Sequence, residues 1–229
     1  MRILSWNCQG AFGRKIDRIL ELKPDIAIIQ ECEILEKLRQ TVGNKIPKKS
    51  LWFGGYIHKG LGVFMYSDYD VKVRAEYDKS IAHVVPIEVK SRKKFLLYAI
   101  WAMWDKDPRK SFTYRVEEAI RKYKNLLKDY TSVMIGDYNS PNIQKASLVD
   151  SLSNLGIFSV YHYLSGEEFG KHTKFTWYNQ RKKEKKYLLD YCFVSQDILK
   201  KNISVNIGKY EDWIKYSDHC PLIVDIEGL

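Results

Sequence analysis

Four short stretches of this 229-residue chain run from an apolar segment straight into residues with chemistry to offer. They are SWNCQG at 5–10, IIQECE at 28–33, VMIGDYNS at 133–140 and YSDHCPLIV at 216–224. Among them stand the carboxamides of Asn7 and Asn139, the carboxylates of Glu31, Asp137 and Asp218, and the imidazole of His219. Carboxylates and amide oxygens suit a hard divalent cation. A carboxylate or imidazole can take or give a proton, and a fixed N–H donor can face charge that develops during a reaction. Asn7 alone says little, because Asn commonly fills turns, and a lone Gln-Glu pair after a strand says no more. GDYN is more specific: Gly136 lets the backbone turn, and Asp137 and Asn139, two apart, project to the same side of an extended segment. SDHCP is more specific still, with an Asp beside a His on a turn constrained by Pro221.

Side chains so far apart along the chain can act together only if the elements carrying them converge. Residues 2–9 read as a buried strand, and 13–23 as a helix with Ile16, Ile19, Leu20 and Leu22 at helical spacing, stopped by Pro24. Residues 25–30, DIAIIQ, are a short apolar run of the kind found in a strand covered on both faces. Four β-rich runs at 60–67, 71–77, 83–90 and 95–102 suggest a meander of neighbouring strands. A helix is expected over 113–129, where Val116, Ala119, Ile120, Tyr123 and Leu127 recur every three or four residues. An apolar strand ending in GDYN follows, then a short helix over 147–155 that Gly156 closes. The final third reads as β-rich at 158–164, 174–179, 187–194, 203–210 and 221–227.

There is no repeat, linker or low-complexity tail, so one domain over 1–229 is expected. Its predicted fold is α/β: a four-layered sandwich of two mixed β-sheets packed face to face, with helices on the outside. Polar residues at strand ends would then meet on one rim, while the apolar residues keep the scaffold rigid.

The composition, 45% hydrophobic and 14% aromatic, is enough for one large core. Lys and Arg number 38 against 28 Asp and Glu, a formal net charge of +10, which favours polyanions such as nucleic acid, phosphoinositides or anionic membrane. Five of the six residues at 181–186 are basic. They lie between runs carrying Trp177 and Asp190, where a hairpin loop would put Arg181, Lys182 and Lys183 against a phosphate backbone and Trp177 near a base or sugar. A second cationic stretch holds Lys106, Arg109, Lys110 and Arg115. Cys8, Cys32, Cys192 and Cys220 show no C-x-x-C spacing, which argues against a zinc cluster. Free thiols, no leader-like start and no apolar run of membrane-spanning length lead us to expect a cytoplasmic monomer without membrane insertion.

Taken in order, WN-x-x-G at 6–10, QE at 30–31, GD-x-N at 136–139, LDYCFVS at 189–195 and SDHCP at 217–221 resemble the endonuclease/exonuclease/phosphatase superfamily. That group includes abasic-site endonucleases, pancreatic-type deoxyribonucleases, sphingomyelinases and inositol polyphosphate phosphatases. The resemblance implies hydrolysis of a phosphate ester with Mg²⁺, or Mn²⁺ in its place. Glu31, Asn7 and Asp218 would serve the metal. Asp137 would align or deprotonate a water, with Asn139 donating to the attacking oxygen or the phosphate. His219 would face the developing charge, its ring fixed by Asp190, although the resemblance also allows His219 to be the base.

Two positions depart from the pattern. Gln9 stands where many of the nucleases have a metal-binding Asp, which favours one metal over two. Trp101 stands near a position usually held by a His or Tyr that reaches the phosphate; His58 is a candidate to replace it, while Trp101 and Trp104 are candidates to stack on a base. The first expectation is a Mg²⁺-dependent nuclease, endo- or exonucleolytic, acting on DNA rather than RNA. The alternatives are a phosphatase or phospholipase for a phosphorylated lipid or small molecule, and a nucleic-acid-binding module with weakened catalysis.

Overall fold

Along most strands every second residue is apolar on one face and apolar again on the other, so the strands must be covered twice. A computed structural model describes residues 1–81, 84–103, 112–141, 143 and 147–229. In chain order the first half gives β1 (Arg2–Asn7), α1 (Ile16–Leu20), β2 (Ile26–Cys32), α2 (Leu35–Val42), β3 (Ser50–Tyr56), β4 (Lys59–Met65), β5 (Asp70–Val73), β6 (Val84–Lys90) and β7 (Lys94–Trp101). Then come α3 (Phe112–Lys122), α4 (Lys124–Asp129), β8 (Ser132–Asp137), α5 (Leu148–Ser153), β9 (Ile157–Ser159) and α6 (Val160–Ser165). The last stretch holds β10 (Trp177–Tyr178), β11 (Lys186–Tyr187), β12 (Asp190–Ser195), α7 (Gln196–Leu199), β13 (Ile203–Ile207), α8 (Tyr210–Trp213) and β14 (Leu222–Ile226).

The strands form two mixed six-stranded sheets, ordered β13-β14-β1-β2-β4-β3 and β5-β6-β7-β8-β12-β9, with β10-β11 as a separate ribbon. Each sheet has a parallel pair at its centre, β1 with β2 and β7 with β8. Each pair is joined by a helical crossover, which a parallel connection requires. Beside each pair lies an antiparallel strand from late in the chain, β14 or β12.

The sheets pack face to face through Ile3, Ile26, Ile28 and Val63 on one side and Ile87, Leu97, Val133, Ile135 and Val194 on the other. Leu4, Trp6, Ala27 and Ile29 face the opposite way, onto Phe12, Ile16, Ile19 and Leu38. Leu96, Tyr98, Ile100 and Met134 likewise meet Val116, Ala119, Ile120, Leu127 and Leu152. Helix, sheet, sheet and helix make four layers, as expected. Each fully buried aliphatic side chain contributes roughly 1.5–3 kcal/mol, so the seam between the sheets is stiff.

Three expectations change. The run at 60–67 is not part of one meander with its successors: β4 pairs with β2 and β3 in the first sheet, whereas β5, β6 and β7 belong to the second. The run at 158–164 is strand only through Ser159, because Val160, Tyr161 and His162 bury one side of a helical turn, and tertiary packing overrides the β-propensity of these residues. The helix expected over 113–129 breaks at Tyr123 into α3 and α4. Trp104 and the cationic residues Lys106, Arg109 and Lys110 lie outside the described residues.

Side-chain alternation carries the inter-sheet rows to one rim. In the first sheet Ile3-Ser5-Asn7 and Ile26-Ile28-Gln30 are such rows; in the second they are Val133-Ile135-Asp137 and Val194-Cys192-Asp190. Each begins in the dry seam and ends in a polar group.

Candidate active site

Asp137 is the last residue of β8 and Asp190 the first of β12, and the two strands pair so that these residues stand directly opposite. Cross-strand neighbours have Cβ atoms about 5 Å apart, so two carboxylates meet where water is almost excluded: Asp137 is 0% exposed and Asp190 1%. His219, 3% exposed, sits between them. Its Nδ1 is 2.8 Å from Asp190 Oδ2, and its Nε2 is 4.0 Å from Asp137 Oδ2.

The imidazole is fixed from several directions. Ser217 Oγ accepts from the His219 amide at 3.0 Å and donates to the Asn7 carbonyl at 2.7 Å, joining the SDHCP turn to β1. Trp6 Nε1 donates to the His219 carbonyl at 2.8 Å. Thr176 Oγ1 accepts from the amides of Leu189 and Asp190, both at 3.0 Å, and holds the start of β12 in place. Gly136 is required before Asp137: a Cβ there would lie 2.0 Å from the Ile100 carbonyl oxygen of the adjoining strand.

The first sheet supplies the facing groups. Asn7 Nδ2 donates to Asp137 Oδ2 at 3.0 Å and approaches Glu31 Oε1 at 3.4 Å, while its Oδ1 accepts from the Gln9 amide at 3.0 Å. Glu31 lies within the bulge between Ile29 and Cys32 and has left-handed backbone (φ 59°), so the chain steps out of strand alternation and turns this carboxylate toward Asn7. Glu31 Oε2 accepts from Lys59 Nζ at 2.7 Å. Beneath them, Gln30 Nε2 donates to Ser5 Oγ and to the Ile100 carbonyl, both at 3.0 Å, tying the two sheets together under the site.

Burial and like charge set the electrostatics. Desolvation, with a further contribution from Asp190, pushes the Asp137 carboxyl up to about 7 against the opposing pull of His219. For His219 burial alone favours the neutral ring, but Asp190 and Asp137 outweigh it and raise the imidazole to about 9. At neutral pH the site therefore holds an imidazolium clasped by Asp190, with a second carboxyl poised close to neutrality.

Two donor sets bear on a metal. The ligand-capable atoms of Asp137, Asp190 and His219 lie within 4.8 Å of one another, but His219 Nδ1 is engaged by Asp190 at 2.8 Å. The motifs nominate Glu31, Asn7 and Asp218 instead. Glu31 fits a hard cation, because it is a carboxylate only 21% exposed that already carries the ammonium of Lys59 on one oxygen. Asn7 turns its nitrogen rather than its oxygen toward Glu31, so ligation through Oδ1 requires the amide to rotate. Asp218 accepts from Trp177 Nε1 at 3.1 Å. Asp190 Oδ1 is buried without a hydrogen-bond partner, a further oxygen with acceptor capacity in the same pocket.

His219, Asp190, Asp137, Asn139, Asn7 and Glu31 are thus linked by direct contacts, and Asp218 joins through Trp177. Asn139 is oriented inward toward the protein: its amide nitrogen donates to the Ala102 carbonyl and its backbone N–H to Asp137 Oδ1, both at 2.8 Å. Through its backbone N–H it braces the Asp137 carboxylate. Trp101 does not line the site as a stacking surface; it is 5% exposed within the inter-sheet seam, beside Asp137 in register, and leaves no face for a base. His58 lies in the β3–β4 turn, with Lys37 Nζ 3.1 Å from its Nδ1. Arg181, Lys182 and Lys183 are exposed in the β10–β11 loop, Lys183 in an ion pair with Glu211. Lys59, Ser217 and Thr176 were not singled out from sequence. Ser217 lies within a motif, whereas Lys59 and Thr176 carry no local signal.

No family model and no curated protein matches this chain. Solved structures do. An AP endonuclease from Archaeoglobus fulgidus is 18% identical with a TM-score of 0.69, covering 99% of each chain. The 3′-5′ exonuclease NExo from Neisseria meningitidis is 17% identical with a TM-score of 0.71, again over 99% of each chain. The catalytic domain of Xenopus laevis APE2 is 14% identical with a TM-score of 0.67, over 99% of this chain and 92% of that one. With its two facing six-stranded sheets and its motifs meeting on one rim, the chain has the endonuclease/exonuclease/phosphatase fold.

Proposed function

We propose that this protein is a divalent-metal-dependent phosphodiesterase whose substrate is nucleic acid, DNA in preference to RNA. The observation that carries the reading is the hydrogen-bonded His219–Asp190 pair, with His219 Nε2 set 4.0 Å from Asp137 among buried side chains. A phosphodiester resists hydrolysis because its charge repels nucleophiles and its leaving oxygen is a poor anion. Held by Glu31 and Asn7, with Asp218 nearby in sequence to His219, Mg²⁺ or Mn²⁺ would neutralise that charge. Asp190 keeps the His219 ring in one orientation with Nε2–H directed at the reacting group, a fixed donor for a phosphoryl oxygen as charge builds. Asp137 has acidity close to neutral pH and is oriented by Asn7 and the Asn139 amide, so it can align a water and receive its proton. The net charge of +10, the half-exposed Trp177 and the basic β10–β11 loop support a polyanionic substrate. Among the described residues no helix is long and apolar enough to cross a membrane.

Two observations favour a second reading. Lys59 on Glu31 and the neutral Gln9 both lower the charge available to a metal, which is what a binding module with weakened catalysis would show. The experiment is hydrolysis by purified protein with Mg²⁺, Mn²⁺ or EDTA of plasmid, single-stranded DNA, abasic duplex, RNA and a phosphoinositide panel, with His219→Ala as control. Metal-dependent cleavage of DNA that vanishes in His219→Ala supports the proposal. Binding without cleavage under every metal condition sinks it in favour of the second reading, and lipid dephosphorylation alone moves the substrate to the phosphoinositides.

A further inference from the structure

The loop after β1 and the loop between β10 and β11 are joined by one hydrogen bond across 172 positions of sequence: Arg181 Nη2 donates to Gln9 Oε1 at 2.6 Å. Gln9 is itself attached to the site, since its amide N–H lies on Asn7 Oδ1 and its backbone is left-handed (φ 53°). Arg181 is delivered by two successive left-handed residues, Gln180 (φ 53°) and Arg181 (φ 59°). Neither is glycine, so this turn costs energy that surrounding contacts must offset. Those contacts are visible: Tyr210 Oη donates to the Arg181 carbonyl at 2.7 Å, and Arg181 Nη1 reaches the Lys215 carbonyl at 3.4 Å.

Among the described residues the hydrogen-bond partners of this guanidinium are neutral. Lys59 spends its charge on Glu31 and Lys183 on Glu211, whereas Arg181 among the described residues donates to an amide oxygen and a carbonyl. Its positive charge is held in place without being cancelled. A guanidinium has five N–H donors in a plane; two are used in the bonds above, one on each terminal nitrogen, which leaves donors for phosphate oxygens. Lys15, with Nζ on the carbonyls of Cys8 and Gly10 at 2.6 and 2.8 Å, adds a second cation to the same loop.

We infer that Arg181 is a phosphate-anchoring residue of this active site and that Gln9 is the positioning residue that holds its guanidinium at the pocket mouth. This rests on the phosphodiesterase reading and deepens it: a protein-borne cation is tied through Gln9 to Asn7, and an acidic side chain in place of Gln9 would cancel it. A carboxamide at position 9 is then a requirement of the anchor.

The test compares wild type with Arg181→Ala, Arg181→Lys, Gln9→Ala and Gln9→Glu. Steady-state cleavage of a labelled DNA oligonucleotide gives kcat and KM, and fluorescence anisotropy with the same oligonucleotide in EDTA gives affinity against salt. For Arg181→Ala we expect a KM increase of about tenfold or more, falling on KM more than on kcat. The slope of log affinity against log salt should drop by about one. Arg181→Lys should restore the slope but not the full affinity, because charge is retained and the fork lost. Gln9→Glu should weaken binding more than Gln9→Ala, since the new carboxylate would neutralise Arg181. Unchanged affinity and salt slope in Arg181→Ala would overturn the inference, as would Gln9→Glu binding as tightly as wild type. If wild type cleaves nothing, the phosphodiesterase reading fails by itself, and the anisotropy arm still decides whether Arg181 anchors phosphate.

Discussion

The two walls of the pocket are built by different means. Asp137 and Asp190 face each other across one rung of an antiparallel ladder, buried and held by the same registry that holds Val133 and Val194. Asn7 and Glu31 lie where strands of the other sheet give out, and their side chains are aimed by a bulge, left-handed backbone and hydrogen bonds to Gln9 and Lys59. The ladder wall can keep two carboxylates and an imidazolium together in low dielectric because the strands cannot move apart without opening the core. The other wall is partly open to water and its contacts are exposed ion pairs and amides, so it can exchange partners. On the ladder the carboxylates are fixed by strand registry, and on the turns the polar groups are aimed by local backbone and hydrogen bonds.

The sharpest way to break this contrast is on the ladder wall. Asp190→Asn or His219→Ala should lower single-turnover cleavage by about a thousandfold or more, and a loss below about tenfold would mean the pair is structural. On the turned wall, Glu31→Gln should cost about a hundredfold, and the defect should shrink as Mg²⁺ or Mn²⁺ is raised. A defect of the same size at every metal concentration would remove Glu31 from the metal. Gly136→Ala, which drives a Cβ into the Ile100 carbonyl, should destabilise the fold by about 3 kcal/mol in urea denaturation.

A pH experiment follows from the raised pKa values of Asp137 and His219. Asp137 rises from 3.8 to about 7 and His219 from 6.5 to about 9, so between those limits the folded protein binds more protons than the unfolded chain. Stability in EDTA should therefore fall as pH rises from about 4 to about 9, the His219 contribution being fully present below 6.5 and lost through about 9. Asp190→Asn should flatten the upper part of that curve. The smallest effect belongs to Lys59→Met, where an exposed pair is lost: stability should move by about 1 kcal/mol or less. Apparent metal affinity should tighten by about fivefold or less, as the competing ammonium leaves Glu31. A weaker metal response in Lys59→Met would show that the lysine supports the site.

Much of the architecture was readable because its signals are local. Apolar runs that stop at SWNCQG, IIQECE and GDYN mark strands covered on both faces, and period-two alternation puts Asn7, Gln30 and Asp137 on the inward row. The 60–67 run was assigned to the wrong neighbours because nothing in a strand's own residues states which strand it will pair with. Val160 to Ser165 are helical against their β-propensity because only packing decides which face they bury. Trp101 looked available for a ligand at the end of β7, and the seam took it.

By itself the sequence determined which residues end strands, the two-sheet class with outer helices, and the set of acids, amides and histidine able to share one rim. Those outcomes follow from short-range sterics and from alternation, which every residue carries with it. Tertiary structure alone decided that Asp190 faces Asp137, that Lys59 sits on Glu31, that Thr176 fixes the start of β12 and that Gln9 holds Arg181. Each of these pairings spans from 13 to 172 positions, and such contacts exist only once hydrophobic burial has brought the two sheets together.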